Sequence, residues 1–463
     1  MIREEPLALL PELCLFGGAV VTLLAGSFLP RQRQWIARLL AVAALLLAAT
    51  AAALALDDPA RTVFGAFVVD TPTGIARLVV VAATMLVIGL GADDLAGRAR
   101  ESETYALLLL GALGAVVLAA TDDLLVLTVG FLLAGIPLYA LVGMPRTAGA
   151  AEAALKTYLL GALAGIALML GTTVLYGIAG STAYPGLAAG LAGAPAAAVA
   201  VGAVGVLAGL LFEAGGVPLH FWVPDATEGA GTPAAAFLTT VPKVGALVAA
   251  ARLVEVLPGS LPWPLLVGVL AAATMTLGNL AALAQSDVRR LLGWSTVSQV
   301  GYLLMPVAVV GAGAGAVPAL LTYLAGYAVS NLTAFAVLAA RPGVRSLADS
   351  AGLARRHPAL ATALVVSLLS LVGTPPTAVF LGKLTVFTAA WDGGLAWLVV
   401  VAALNTVVSL AYYLRWLVAA FRPGAPDPGP GTAPWARAAA VCGTVGVLAV
   451  GLGAGAVTAL VAG

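Results

Sequence analysis

Apolar residues run along this chain in long blocks separated by short polar breaks. A window of about 19 residues places blocks near 7–29, 35–56, 73–92, 103–120, 123–142, 154–179 and 196–217. Further blocks lie near 233–255, 262–285, 291–312, 315–340, 358–390, 394–420 and 435–461. Roughly 20 mostly apolar residues cross a hydrocarbon layer about 30 Å thick as a helix. The pattern therefore predicts fourteen membrane-spanning helices and an all-α polytopic membrane protein.

The arginines test that count, because cytoplasmic loops collect positive charge. With both termini outside, the inner loops hold Arg31, Arg33, Arg38, Arg98, Arg100, Arg146, Arg289 and Arg290. They continue with Arg341, Arg345, Arg355, Arg356, Arg415, Arg422 and Arg437, leaving only Arg3, Arg61, Arg77 and Arg252 over. A missed or invented helix would scramble this pattern.

Composition agrees. The chain is 62% hydrophobic and 9% charged with a mean hydropathy of +1.07, whereas a soluble domain is about half apolar and a quarter charged. The longest polar stretches, 57–74, 93–103 and 421–437, are too short for a separate soluble domain, and the last is a Pro/Gly hinge. A formal charge of +1 gives nucleic acid no field to bind. Cys14 and Cys442 lie far apart in apolar runs and read as buried thiols. MIREEPLALLPELCLF has no A-x-A-like cleavage site, so the first helix is expected to stay. GAGAGA at 311 and GLGAGA at 451 follow no strand of a βαβ unit. Close helix packing explains them, as it does Gly161 and Gly165. No nucleotide or redox cofactor site is expected in this chain.

The basic residues divide their labour. Nineteen arginines lie nearly all in loops, whereas the three lysines, Lys156, Lys243 and Lys383, each fall at or within an apolar block. A desolvated lysine can gain and lose a proton near neutral pH, whereas arginine stays charged. A codon bias toward arginine would empty the loops of lysine. It would not seat the survivors in lipid, where a charge near a helix centre costs about 2.5–3.5 kcal/mol. Proton relay and structural anchoring both remain open for these lysines, and Lys156 is near enough to the inner boundary to snorkel.

Two blocks carrying ionisable groups are broken, EAGGVPLHFWVP at 213–224 and GTPPTAVFLGK at 373–383. Proline removes a backbone donor, and non-helical backbone at membrane depth needs protein or trapped water to satisfy it. Breaks at corresponding places in two halves point to inverted repeats around a central pathway. The breaks fall in helices 7 and 12. Two inverted five-helix repeats are predicted, 103–255 and 256–421, between N-terminal helices over 1–102 and a hinge with a last helix over 422–463. His220 has a titration range suited to proton transfer, or it satisfies backbone freed by the break. Asp225 is expected to cap the helix after the break, and His357, beside Arg355 and Arg356, to be solvated.

HFWVPDATEGAGTPAAAFLTTVPKVGA (220–246) resembles the long motif around the broken seventh helix in subunit N of bacterial proton-pumping NADH:quinone oxidoreductase, respiratory complex I. DDLLVLTVGFLLAGIPLYALVG (122–143), AEAALKTYLLGALAG (151–165), ALAQSDVRRLLGWSTVSQVGYLLM (282–305), YLAGYAVSNLTAFAVL (323–338) and TPPTAVFLGKLTVFTAA (374–390) follow in that family's order. The resemblance implies an antiporter-like membrane subunit of a translocase in the bacterial cell membrane. It puts Lys156, Lys243 and Lys383 on the family's functional lysines in helices six, eight and twelve, and the expected relay comprises these with Glu213 and His220. Midplane charges would switch protonation in response to quinone reduction elsewhere. NADH, FMN, iron–sulfur clusters and quinone would belong to partner subunits of the complex. Other membrane-arm subunits, the bilayer and protons would be this chain's partners.

Departures from the family pattern sharpen the question. Leu132 in GFLLAGIP stands where the family has a glutamate, Glu213 where it has a lysine, and Gln299 where a histidine is common. A buried acid left alone tends to stay neutral, so Glu213 needs a partner, Lys243 or Lys156. Either the relay is rearranged and works, or the first half is idle. A multi-subunit sodium/proton antiporter is the nearest rival, but its motif after the break reads Trp-Leu-Pro-Asp-Ala-His, unlike Trp222 to Glu228 here. An independent transporter of an organic solute would show a substrate-sized polar pocket, and the intramembrane polar groups here are chiefly titratable.

Overall fold

The computed structural model describes residues 6–313, 315–424 and 433–462. Arg3 and residues 425–432 of the expected Pro/Gly hinge lie outside them. The chain opens with α1 (Leu10–Phe28) and α2 (Trp35–Leu54), a hairpin of β1 (Arg61–Val63) and β2 (Phe67–Val69), and α3 (Thr71–Leu95). Next come α4 (Glu101–Ala119), α5 (Leu124–Gly143), α6 (Ala148–Ala179), α7 (Tyr184–Leu191), α8 (Ala196–Ala214), α9 (Trp222–Gly229), α10 (Thr232–Leu238) and α11 (Val241–Val256). They are followed by α12 (Trp263–Leu283), α13 (Val288–Ala308), α14 (Ala316–Ala340), α15 (Leu353–Arg356), α16 (Pro358–Val372), α17 (Ala378–Asp392) and α18 (Ala396–Phe421). The last two are α19 (Pro434–Leu452) and α20 (Ala454–Ala462). Thirteen stretches of described helix are long and apolar enough to cross a membrane. Two shorter helices, α16 and α17, parted at Gly373, together form the fourteenth crossing that the hydropathy pattern predicts.

Two stretches, α4–α11 and α12–α18, repeat one plan. Asp123 caps α5, accepting hydrogen bonds from the backbone of Leu125 (2.7 Å) and Val126 (3.2 Å). Asp287 caps α13 through Arg289 (2.8 Å) and Arg290 (2.9 Å). Such caps satisfy amides that an isolated helix start leaves unpaired. Each capping residue also forms an antiparallel bridge to the loop that follows the next long helix, Asp123 to Ala183 and Asp287 to Ser346. The broken helices match as well. α8 ends at Gly215 with φ +82° and α16 at Gly373 with φ +92°, each three residues before a proline, Pro218 or Pro376. The two copies run in opposite senses: α4 starts beside Arg98 and Arg100, whereas α12 ends just before Arg289 and Arg290.

One face of the bundle gathers arginine. Arg98, Arg289, Arg290 and Arg345 line a common cavity there, and α19 starts on the same face, where Asp93 accepts from the backbone of Trp435 (2.8 Å) and Ala436 (3.2 Å). The described arginines left over from the loop count are each matched by an acid. Arg61 pairs with Asp58 at 3.1 Å, the buried Arg77 with Glu12 at 2.7 Å, and Arg252 with Asp70 at 2.7 Å.

Small residues set the helix spacing in the core. A Cβ on Gly114 would run into the α5 backbone at Ala134, and one on Gly245 would run into the Ala115 carbonyl of α4. The hairpin at 61–69 and the helix α7 were not predicted. Strands of three residues and a helix of eight are too short to stand out within apolar or mixed sequence.

Candidate functional site

Gly215 ends α8 in a left-handed conformation open to glycine, and the last carbonyls of that helix point into the bundle. Lys243 of α11, fully buried, donates to the Glu213 carbonyl at 3.0 Å. Its ammonium also lies 4.7 Å from the centre of the Trp222 ring, a placement that attracts a cation. Trp222 is held in turn by a bond to the Phe212 carbonyl at 3.0 Å. Glu213 and Lys243 are both fully buried, and Lys243 reaches Glu213 through its main-chain carbonyl, not its carboxyl. Of the two lysines named as candidates for Glu213, Lys243 is the one brought to it, whereas Lys156 pairs with Glu152 and Asp225.

The second repeat builds a related seat, with the amine carried by the second half of the broken helix itself. Lys383 of α17 is 4% exposed and donates to the Val372 carbonyl at the end of α16 (2.8 Å) and to the Thr406 hydroxyl (3.1 Å). Its ammonium lies 4.1 Å from the centre of the Tyr302 ring. A Cβ at Gly373 would press to 2.8 Å of the Lys383 stem, so glycine is needed there twice over, for its φ and for the amine. The neighbouring Leu371 carbonyl is taken by Gln299 at 2.9 Å, whose own carbonyl accepts from Tyr323 at 2.6 Å. A helix C-terminus carries partial negative charge, so both lysines rest where an ammonium is favoured.

Between the two seats runs a belt of buried hydroxyls and amides. Thr239 and Thr240, at the join of α10 and α11, accept from Asn331 at 2.9 Å each. Tyr327 bonds the Thr239 carbonyl (2.6 Å) and Thr296 (3.1 Å). Around Lys383, Tyr302 meets Thr406 at 3.2 Å. Asn279 joins Asn405, Ser298 and Tyr412 at 2.8–3.0 Å. Sequence reasoning missed these residues because it weighed charges alone. Asparagines inside apolar helices, as in GYAVSN at 326–331, were the available signal.

Lys156 and His220 do not join the seats. The Lys156 side chain is 47% exposed and pairs with Glu152 (2.7 Å) and Asp225 (2.8 Å). Arg290 joins the same chain through Asp225 (2.6 Å) and Glu228 (2.8 Å), at the wall of a cavity of about 840 Å³. Asp225 accordingly bridges two cations instead of capping a helix. His220 is buried against Phe221 and Trp294, with ring centres 4.2 Å and 5.5 Å apart. Neither of its nitrogens makes a hydrogen bond among the described residues. His357 is half-buried and meets Arg341 at 2.6 Å instead of bulk solvent. Leu132 is 36% exposed, on the outer side of α5. No cluster of three or more potential metal ligands occurs among the described residues.

Residues 121–409 match the family described as NADH:quinone oxidoreductase/Mrp antiporter, TM. A relative from Mycobacterium sp. (strain JLS), named NADH-quinone oxidoreductase subunit N, is 59% identical over 418 residues, which is 90% of this chain and 89% of the relative. The chain belongs to the NADH-quinone oxidoreductase subunit N family. A chain of respiratory complex I from Thermus thermophilus, solved with bound aureothin, has a TM-score of 0.85 at 34% identity, covering 98% of this chain and 100% of that one. A chain of the Mrp complex from Dietzia sp. DQ12-45-1b has a TM-score of 0.87 at 23% identity, covering 100% and 97%, a likeness of fold. The subunit N family thus brings an antiporter-like membrane subunit, as the quoted stretches between 122 and 390 indicated, and both of its broken helices carry the lysine seats described above.

Proposed function

We propose that this chain moves protons within the membrane arm of an NADH-quinone oxidoreductase, with Glu213, Lys243 and Lys383 as its relay. NADH, FMN, iron–sulfur clusters and quinone are assigned to partner subunits, and this chain holds no redox centre of its own. It sits in a bacterial cell membrane with both termini outside and the arginine-rich face inside.

The observation that carries this reading is the paired seats, each a buried amine bonded to the carbonyl end of a broken helix. An anchoring lysine would have an acid to neutralise it or would reach water. Lys383 does neither among the described residues, and its partners are uncharged. Burial penalises the ammonium, while the carbonyl, the hydroxyl and the aromatic face favour it. At the other seat Glu213 and Lys243 are two ionisable side chains buried in one region, and their charged and neutral states differ by one proton moved from the amine to the carboxyl. Lys156 and Asp225 lie at the mouth of the inner cavity, where they steer protons toward that pair.

Vesicles carrying the intact complex test the proposal. Lys383→Met and Glu213→Gln, made separately, are each expected to lower proton uptake driven by NADH oxidation, Lys383→Met by about tenfold or more. Undiminished pumping by both variants in normally assembled complex would refute it.

A further inference from the structure

We infer that the Tyr139 hydroxyl is the hydrogen-bonding partner of the Glu213 carboxyl and holds it in both of its protonation states. The inference rests on the relay reading of Glu213. Glu213 is fully buried, yet both carboxyl oxygens are unbonded among the described residues. Lys243 bonds the backbone carbonyl of Glu213 and leaves its side chain free. Buried polar groups in folded proteins are almost always partnered, so a partner has to stand within reach.

Gly135 of α5 shows which one. A Cβ there would lie 3.7 Å from Glu213 Oε2 and 3.0 Å from the Tyr139 hydroxyl. The acid from α8 and the phenol from α5 thus converge on the space left open by the missing side chain. Tyr139 is one helical turn beyond Gly135, which directs its side chain back over that residue. Gly161 of α6 bounds the other side, since a Cβ on it would run into the Tyr139 hydroxyl and come within 2.9 Å of Phe212. Tyr158 packs edge-on against the Tyr139 ring, with centres 5.9 Å apart at 81°. The ring is therefore fixed while its hydroxyl is free to turn.

A lysine ammonium only donates, and so it cannot accept from the O–H of a carboxylic acid. A phenol donates to a carboxylate and accepts from a carboxylic acid, and rotation about its C–O bond exchanges the two roles. Tyr139 keeps its own proton throughout. Glu213 gains or loses one with Lys243, and the phenol satisfies it before and after. Tyr139 is on this reading a positioning residue that lowers the cost of the switch.

Infrared difference spectra of the intact complex, recorded on quinone reduction, read the C=O stretch of protonated Glu213, assigned by its loss in Glu213→Gln. Tyr139→Phe keeps the ring and is expected to shift that band to higher wavenumber, as happens when the acid's O–H loses its acceptor, with partial loss of pumping. Gly161→Ala, whose methyl displaces the hydroxyl, is expected to shift the band the same way. An unmoved band in Tyr139→Phe overturns the inference, even if pumping falls, and leaves the relay reading standing. Absence of any Glu213 band in the unsubstituted complex overturns the relay reading and this inference with it.

Discussion

The two repeats share a scaffold and differ in what surrounds the amine. Around Lys383 the side chains are neutral and closely hydrogen-bonded, with Thr406, Tyr302, Gln299 and Tyr323 all engaged. Around Lys243 there is a second ionisable side chain, Glu213, and few side-chain hydrogen bonds. One backbone device thus carries a buried amine in two different surroundings. The second repeat encloses it in a cage of hydrogen-bonded dipoles, and the first sets a buried carboxyl in the same region.

The comparison predicts unequal costs of substitution. Lys243→Met strands Glu213 in the core, and breaking a buried pair costs about 3–5 kcal/mol. Adding Glu213→Gln should restore most of the lost thermal stability of the complex. Equal stability of the single and double variants would show that the two do not act as a pair. Gln299→Ala frees the Leu371 carbonyl and the Tyr323 hydroxyl in the cage, a loss of about 1–3 kcal/mol. Its effect on pumping should follow that of Lys383 and spare the first repeat, as measured by the Glu213 infrared band.

Lys156→Met should change stability and pumping less than either of these, because its pairs with Glu152 and Asp225 are exposed to water and screened by salt. A loss as large as that of Lys243→Met would place it in the relay after all. The smallest effect concerns Asp70. Burial alone would raise its carboxyl, but Arg252 and Thr73 outweigh burial and hold it below the ordinary carboxylate value. Its contribution is present at neutral pH and fades as the pH falls through that depressed value. Asp70→Asn should therefore lower thermal stability slightly at neutral pH and flatten its decline in acid, with differential scanning as the readout.

Much of this was legible in the sequence for physical reasons. Each crossing needs its own apolar block, so fourteen blocks gave fourteen crossings, and the two glycine–proline breaks marked the seats of Lys243 and Lys383. Charge type was a weaker guide, since Lys156 counts as an intramembrane lysine by position but turns outward to acids on α6 and α9. Asp225 misled in the same way, because a carboxylate at a helix start serves a cap or a salt bridge according to which cations the distant α13 brings to it. The belt of Thr239, Tyr327 and Asn331 depends on helices far apart in the chain and has no local period to reveal it.

Both amines rest on main-chain oxygen, supplied by Glu213 in one case and Val372 in the other. A main-chain carbonyl is present whichever amino acid occupies the position, so the resting place of each amine belongs to the bend of the backbone and not to any one side chain.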